Sequence, residues 1–277
     1  MILTRYTGAY VIPDLEKAIM SVSKIDDFND PFELQIVQGR ALTRQSAKAY
    51  IRQKGKAEII KAISAEFPSY TSKQIKKIFQ KTRPKMIDSM VASDPEVLEG
   101  QRSYSKRYHV QANRIVCMTV PKDGDPVEVP MWGYYGDAHK GIRLHLTEAV
   151  LAMGDVLEMN YRNTPTVMDS NHLPGSFEFM QYINDLLTVK SDVWRHEDER
   201  RLLIPTGKTM VLVDSAGHPR DYINLPESGV ARIDLGIKFP KALIERVLGL
   251  RGVFPGLVVF QARNPLDQFF PAYDQIA

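Results

Sequence analysis

The spacing of apolar residues changes along the chain from a helical period to a strand period. Between residues 40 and 92, apolar residues recur at steps of three and four, as at Ile59, Ile60 and Ile63. This spacing predicts amphipathic helices with one buried face. After residue 111 the apolar runs are short and are bounded by turn-forming residues, which is typical of strands. The pattern therefore predicts an α+β protein, with a β-rich core and a helical insertion after the first strand.

Individual elements follow from the same pattern and from its Gly and Pro punctuation. The predicted strands are residues 2–6, 114–120, 142–146, 156–161, 200–204, 210–213, 233–235 and 257–261. The predicted helices outside the insertion are residues 14–18, 130–139, 177–187 and 241–248.

Composition narrows the class of protein. The 277 residues are 44% hydrophobic and 25% charged, which is typical of a folded globular chain. No stretch resembles an interdomain linker, so we predict a single domain over residues 1–277, with the insertion at about 40–110. No apolar stretch is long enough for a bilayer and no signal peptide is recognisable, which predicts a cytoplasmic protein without membrane contact. The lone Cys117 excludes an internal disulfide, and its apolar neighbours predict a buried thiol.

Charge is unevenly distributed along the chain. The net charge is +3, but residues 40–85 carry +11 and the remainder sums to −8. A basic helical face attracts phosphates, which indicates nucleic acid as a partner. A solvated helical face without a partner gives the same pattern, and both interpretations stay open. The candidate nucleic-acid contacts are Arg44, Lys48, Arg52, Lys73, Lys76 and Lys77.

Two glutamates stand where a loop enters a predicted strand. If the strand has already begun at Glu199, its carboxylate shares a face with that of Glu197. Mutual repulsion would then raise the pKa of one carboxyl and leave the other ionised, which suits a general base or the stabilisation of an oxocarbenium ion. The alternative is a solvated loop in which these glutamates pair with Arg195, Arg200 and Arg201.

A second candidate segment carries aromatic residues. On a helix Trp132, Tyr135 and His139 share one face, which could stack on a flat ring of a ligand. Packing in the core explains the same spacing. Farther upstream, Asn29 and Asp30 precede a proline and predict a rigid turn, which is either a ligand loop or purely structural.

Taken together, three blocks of the chain resemble the bacterial family called domain of unknown function 2971. The blocks are Asn29 to Glu33, Met131 to Gly141, and Lys190 to Arg201, in the family's order. This chain departs from the family pattern at Tyr134, where the family has histidine, and at Thr119, where serine is usual.

The segment from Glu197 to Pro205 also resembles the third motif of ADP-ribosyltransferases. That resemblance implies a split β-sandwich fold, NAD as a substrate and no metal. It implies that Glu199 is the catalytic carboxylate, that Glu197 orients or deprotonates the acceptor, and that Arg5 holds a phosphate. The candidate residues for binding NAD are then Arg5, Tyr6, Asn29, Asp30, Thr119, Trp132, Tyr135 and His139.

These resemblances predict an NAD-dependent ADP-ribosyltransferase that acts as a toxin or phage-defence effector and is held by an antitoxin protein. The basic segment favours RNA, single-stranded DNA or a nucleic-acid-associated protein as the acceptor. Two alternatives stay open. One is a non-enzymatic sensor that binds nucleic acid. The other is a metal-dependent nuclease of a defence system that uses Asp30, Glu33, Glu197 and Glu199.

Overall fold

The computed structural model describes residues 1–28, 36–38, 43–92, 112–168, 177–214 and 217–277. The chain forms two compact units, which are described separately. The first unit comprises Met1–Glu33, Tyr108–Thr164 and Thr188–Ala277. The second comprises Leu34–Arg107 and Pro165–Leu187. The predicted insertion overlaps the second unit, but the sequence did not indicate that residues 165–187 belong with it.

The elements of the described residues follow in chain order. The strands are β1 (Leu3–Thr7), β2 (Ile19–Val22), β3 (Ile36–Gln38), β4 (Asn113–Thr119), β5 (Ile142–Leu146), β6 (Asp155–Glu158), β7 (Asn160–Tyr161), β8 (Thr166–Met168), β9 (Val189–Lys190), β10 (Glu199–Pro205), β11 (Met210–Val213), β12 (Pro219–Asn224), β13 (Val230–Leu235), β14 (Val258–Arg263) and β15 (Ala272–Gln275). The helices are α1 (Ile12–Leu15), α2 (Arg44–Tyr50), α3 (Lys56–Glu66), α4 (Ser72–Ala92), α5 (Glu128–Tyr134), α6 (Glu148–Leu151), α7 (Phe177–Thr188) and α8 (Ile244–Gly249).

A large mixed sheet organises the first unit. Its eight described strands lie in the order β15-β14-β13-β5-β1-β4-β10-β6, and β13 and β14 are its parallel pair. A second, antiparallel sheet has the order β11-β12-β2. The two sheets share one hydrophobic core, to which Val116 and Leu202 of the large sheet and Met20 and Ile223 of the small sheet contribute. Burial of these apolar faces holds the two layers of the unit together.

The other face of the large sheet is polar. The registers Thr4↔Thr119 and Glu199↔Thr119 place these three side chains on the same face. Arg143 of β5 and Asp234 of β13 are also register partners, and both are fully buried. Buried polar groups need partners, so this face requires a dense network of hydrogen bonds and ion pairs.

Strands β1 and β4 separate soon after they meet. Thr4↔Thr119 is the register pair between them, whereas β1 pairs with β5 from Leu3 to Thr7. The next residues of β1 and β4 therefore line a gap within the sheet.

The second unit contains the basic helices. Helices α2, α3 and α4 bury a cluster that includes Ala47, Ile51, Phe79 and Ile87. Helix α2 begins after Thr43, whose hydroxyl accepts a hydrogen bond from the Ser46 amide. Strands β3 and β8 form a parallel pair in this unit. The predicted nucleic-acid contacts Arg44, Lys48, Arg52, Lys73, Lys76 and Lys77 are all exposed.

Most of the predicted elements are confirmed, and the mixed α/β class is confirmed with them. Strands β2 and β12, two of the three strands of the small sheet, had no prediction. The helix predicted for residues 130–139 is too long, because α5 ends at Tyr134. Farther along the chain, the backbone is left-handed at Asp137, Ala138 and His139. None of the helices in the described ranges combines the length and the apolar composition that crossing a membrane requires.

A close backbone approach at Gly141 gives the first prediction. A Cβ atom there would lie 2.1 Å from the Thr7 carbonyl oxygen, so Gly141→Ala forces β1 and the turn before β5 apart. We expect a loss of about 1 to 3 kcal/mol in the free energy of unfolding, measured by urea denaturation. The matched control is Gly249→Ala, which meets no atom within 4 Å and should leave the stability unchanged or slightly higher. Equal stabilities of the two variants would contradict this account.

Candidate active site

The gap between β1 and β4 is a pocket of about 180 Å³ in the first unit. Thr4, Cys117 and Thr119 of its lining belong to the polar face of the large sheet. Arg5 and Met118 alternate with them along β1 and β4, so the pocket reaches both faces of the sheet. The residues lining it are Thr4, Arg5, Tyr6, Ser23, Phe28, Cys117, Met118, Thr119, Met131, Tyr135, Lys190, Glu197 and Glu199.

A buried ion cluster forms one wall of the pocket. The Lys190 ammonium donates to Glu197 Oε2 at 2.6 Å and to Glu199 Oε2 at 2.7 Å. Arg201 Nε donates to Glu199 Oε1 at 2.7 Å, and the Tyr135 hydroxyl donates to Glu197 Oε1 at 2.6 Å. Every oxygen of the two carboxylates thus accepts a hydrogen bond. We call Lys190, Glu197, Glu199 and Arg201 the Lys190 cluster.

The backbone brings the two carboxylates together by a route that the sequence did not predict. Glu197 ends a 3₁₀ helix, Asp192–Glu197, and Glu199 begins β10. Asp198 between them is left-handed, with φ 46° and ψ 48°. Strand β10 does begin at Glu199, as the shared-face prediction required, but strand alternation does not bring the carboxylates together, because Glu197 lies in the 3₁₀ helix. They meet because the chain turns at Asp198 and both carboxylates bind Lys190.

Hydrogen bonds to the backbone hold this turn in place. The Thr119 hydroxyl donates to the Glu197 carbonyl oxygen. The Glu199 amide donates to the Tyr161 hydroxyl at 2.8 Å. The candidate residue Thr119 thus lines the pocket and also positions the chain that carries the carboxylates.

The electrostatics of Glu199 are the reverse of the expected repulsion. Burial favours the neutral carboxyl, but the charges of Arg201 and Lys190 and their hydrogen bonds outweigh it and lower the pKa of Glu199 to about 2. Burial and the hydrogen bond to Glu197 raise the pKa of Tyr135, which keeps its hydroxyl protonated as a donor. Glu199 is therefore a fixed negative charge at neutral pH, and two cations balance the two carboxylates.

The first strand supplies two of the candidate residues for binding NAD. Arg5 lines the pocket, and its Nη1 donates to the Ser21 carbonyl at 2.7 Å. Tyr6 lines the pocket with its ring, while its hydroxyl accepts a hydrogen bond from Arg143 at 3.3 Å. Burial raises the pKa of Tyr6 to about 12.

Trp132 and His139 do not line the pocket. Trp132 is fully buried, packs edge to face on Tyr6 at a ring distance of 5.1 Å, and donates from Nε1 to the Tyr273 hydroxyl. His139 lies beyond the end of α5 with φ 68°, and its ring stacks on that of Trp132 at 6.1 Å. The two rings are adjacent, but a turn rather than a helical face brings them together. Core packing accounts for Trp132.

Three predicted residues lie outside the described residues, namely Asn29, Asp30 and Glu33. The prediction for Cys117 is wrong, because its side chain is exposed and lines the pocket. Its position on β4 beside the gap explains the exposure, since β1 does not cover it.

Sequence reasoning missed Lys190 and Phe28 as site residues. Lys190 lies at the end of β9, seven and nine residues before the two glutamates it binds. Its one sequence signal was its place at the start of the third block that resembles the family. Phe28 lines the pocket and packs its ring 4.8 Å from the Arg201 guanidinium, which no sequence pattern indicated.

A second buried network lies on the same face of the sheet. Arg143 binds Asp234 and Asp123, each at 2.7 Å, and also Glu128. His145 Nε2 lies 2.6 Å from Asp234 Oδ2. These partners explain why every residue of β5 is buried although the predicted strand alternates in polarity.

Metal ligation has no support among the residues that can be placed. Within the described ranges, no group of three or more His, Cys, Asp and Glu side chains could hold a metal ion. The Lys190 ammonium also lies between the carboxylates of Glu197 and Glu199, where a bridging cation would bind. Asp30 and Glu33, which the nuclease hypothesis also uses, are outside those ranges.

Comparison with known proteins adds no identification. No protein-family model matches the chain, and no curated protein or solved structure matches it either. The resemblance of the three sequence blocks to a bacterial family therefore stays a prediction.

The Lys190 cluster predicts an acid-sensitive stability. Because the pKa of Glu199 falls to about 2 on folding from an ordinary 4.5, its contribution is complete above the ordinary value and is lost as the pH falls towards 2. That contribution is about 3 kcal/mol by linkage. Urea denaturation at neutral pH and near pH 3 should show a loss of about 2 kcal/mol in the parent protein, because pH 3 is still about one unit above the folded pKa.

Glu199→Gln should be less stable than the parent at neutral pH and should show a shallower dependence on pH, because buried cations lose their partner. Glu158→Gln is the matched control, since that carboxylate is 80% exposed at 3.1 Å from Arg200. A pH dependence of Glu199→Gln as steep as the parent's would contradict the assignment.

Proposed function

We propose that the first unit is an NAD-consuming ADP-ribosyltransferase whose site is the pocket between β1 and β4. One observation carries the proposal. Arg5, Thr119 and Glu199 come from three strands far apart in the sequence and line the same pocket. These are the first-strand arginine, the middle-strand hydroxyl and the third-motif glutamate that the resemblance to ADP-ribosyltransferases implies.

The architecture supports the same proposal. A large sheet and a small sheet share the core of the first unit, and the large sheet opens where β1 and β4 separate. We propose that this is the split β-sandwich of an ADP-ribosyltransferase.

The size of the pocket limits how NAD would bind. Pockets that enclose a whole drug-sized ligand measure roughly 300 to 1,000 Å³, and this one measures about 180 Å³. It suits one base with its sugar rather than a complete dinucleotide. We propose that the nicotinamide and its ribose enter beside Tyr135 and Phe28, while the remainder of NAD lies outside. Because Lys190 is already balanced by Glu197 and Glu199, we assign attraction of the pyrophosphate to Arg5, as the resemblance implies.

The chemistry assigned to the site is cleavage of the bond between ribose and nicotinamide. Nicotinamide leaves with the electron pair of that bond, and a nucleophilic oxygen or nitrogen of the acceptor forms the new bond to the ribose. Positive charge develops on the ribose in between, and the ionised Glu199 is a fixed charge that can stabilise it. Glu197, held by Tyr135 and Lys190, would take the proton that the acceptor loses.

The acceptor we propose is nucleic acid, preferably RNA or single-stranded DNA. The support is the exposed basic surface of the second unit, formed by Arg44, Lys48, Arg52, Lys73, Lys76 and Lys77. Such a surface binds phosphates with a strong dependence on salt. A role as a toxin or phage-defence effector, restrained by an antitoxin protein, remains part of the proposal on the strength of the resemblance alone.

Labelled NAD tests the reaction. Purified protein incubated with NAD labelled in its adenylate part should transfer label to RNA, single-stranded DNA or protein, and should release nicotinamide. Glu199→Gln should reduce both by at least about a hundredfold, as expected when charge stabilisation in a transition state is lost. Glu158→Gln, whose carboxylate is outside the pocket, should keep the parent's activity.

Binding of NAD is measured separately from turnover by the protection of Cys117 against alkylation. This residue is the only cysteine, is exposed and lines the pocket, so NAD should slow its alkylation by a maleimide in the parent and in Glu199→Gln. Absence of nicotinamide release from folded parent protein, with every acceptor class supplied, would overturn the proposed function.

The basic surface has its own test. Replacing Lys73, Lys76 and Lys77 by alanine should weaken binding to single-stranded RNA and reduce the slope of log K against log salt by about 2. The control replaces the exposed Lys17, Lys208 and Lys241 of the first unit and should leave the slope near that of the parent. Equal slopes for both variants, measured by fluorescence anisotropy, would show that the surface is merely solvated.

A further inference from the structure

An aromatic pair is exposed on the surface of the first unit. Tyr134, the last residue of α5, is 66% exposed. Trp194, in the 3₁₀ helix that leads to Glu197, is partly exposed. The two ring centroids are 6.3 Å apart and the planes meet at 78°. Neither ring lines the pocket, so the proposed chemistry does not already account for them.

The pair is directly connected to the Lys190 cluster. The Lys190 ammonium lies 5.4 Å from the centroid of the Trp194 ring. Tyr134 packs edge-on against Tyr135 at a ring distance of 6.3 Å, and the Tyr135 hydroxyl binds Glu197. Each exposed ring is thus one contact away from a side chain that holds a carboxylate.

Local contacts fix the orientation of Trp194. Its amide donates to the Ser191 carbonyl at 3.0 Å, and its ring packs on the His196 ring at 6.1 Å. His196 is itself fixed, because its Nδ1 lies 3.1 Å from the Val193 carbonyl oxygen and must donate to it. A rigid aromatic side chain loses little conformational entropy when a ligand binds, which favours its use as a contact.

We propose that Tyr134 and Trp194 form a stacking platform for a nucleobase at the edge of the pocket, with the base stacked on one ring and in edge contact with the other. Flat bases stack on aromatic side chains, and every base offers such a face. The pocket accommodates one base with its sugar, so the ring of a second base has to be held outside it. That ring is the adenine of the dinucleotide or a base of the acceptor strand. The identity of the reaction rests on the proposed function, but binding of a base to this platform does not.

Tryptophan fluorescence tests the platform without turnover. Trp132 is fully buried, so quenching by adenosine monophosphate or by a short single-stranded oligoadenylate should report on Trp194. The parent should be quenched, and the signal should disappear in Trp194→Phe. Affinities are then measured for all variants by isothermal titration calorimetry, which needs no tryptophan.

Tyr134→Ala and Trp194→Ala should weaken binding of at least one of these probes about fivefold or more, the effect of losing one stacked base. Tyr134→Phe keeps the ring and should bind as the parent does. Val193→Ala removes a neighbouring side chain that is 71% exposed and should also bind as the parent does. Melting temperatures close to the parent's establish that the variants are folded.

The two probes identify the source of the base. Weaker binding of the monophosphate alone assigns the platform to the dinucleotide, and weaker binding of the oligoadenylate alone assigns it to the acceptor strand. Weakening of both means that the platform accepts either. Unchanged affinity of both alanine variants for both probes overturns the proposal.

Nicotinamide release separates this proposal from the proposed function. If the parent releases none but the alanine variants bind nucleotides more weakly, the platform stands and the transferase does not. If the parent consumes NAD and the alanine variants bind both probes as it does, the transferase stands and the platform does not.

Discussion

The interaction on which the candidate site depends is the bond from one buried ammonium to two buried carboxylates. Lys190, Glu197 and Glu199 are each less than 10% exposed, and removing any one of them leaves an unpaired charge away from water. Breaking a buried pair in this way typically costs about 3 to 5 kcal/mol. Because the three residues come from β9, a 3₁₀ helix and β10, their attraction also fixes how these segments meet. The turn at Asp198 is held as a consequence, and with it one wall of the pocket.

The large sheet supplies the setting for this cluster because its two faces differ. Its apolar face packs with the small sheet, whereas its polar face buries Thr119, Arg143 and Asp234 as well as Glu199. A face of this kind is stable only when its charges pair, as Arg143 does with Asp234 at 2.7 Å. The pocket occurs where the pairing of strands fails between β1 and β4. Strand geometry therefore creates the space, and the ion pairs on either side determine its chemistry.

The sequence predicted what depends on local pattern and missed what depends on tertiary contacts. The strands β4 and β10 followed from apolar residues at their own positions, and so did helix α7. The left-handed backbone of His139 and Asp198 could not be predicted from local pattern. Neither residue is glycine, and tertiary hydrogen bonds hold both turns. The exposure of Cys117 depends on the strand that fails to cover it. Lys190 was recognisable only as part of a longer block, since no pattern shows that a lysine will meet two glutamates in space.

The balance of charge in the Lys190 cluster constrains how the proposed transferase could bind NAD and stabilise a cationic ribose. Two carboxylates face Lys190 and Arg201, so the cluster is neutral overall and does not repel an anionic dinucleotide. Lys190 lines the pocket together with Glu197 and Glu199, so the proposed reaction requires that the ribose lie nearer to the Glu199 carboxylate than to the Lys190 ammonium. A ribose placed in that way would gain attraction as it becomes cationic. The same cations that lower the pKa of Glu199 to about 2 keep it ionised, which is the state that the proposed transferase requires, whereas burial alone would favour the neutral carboxyl.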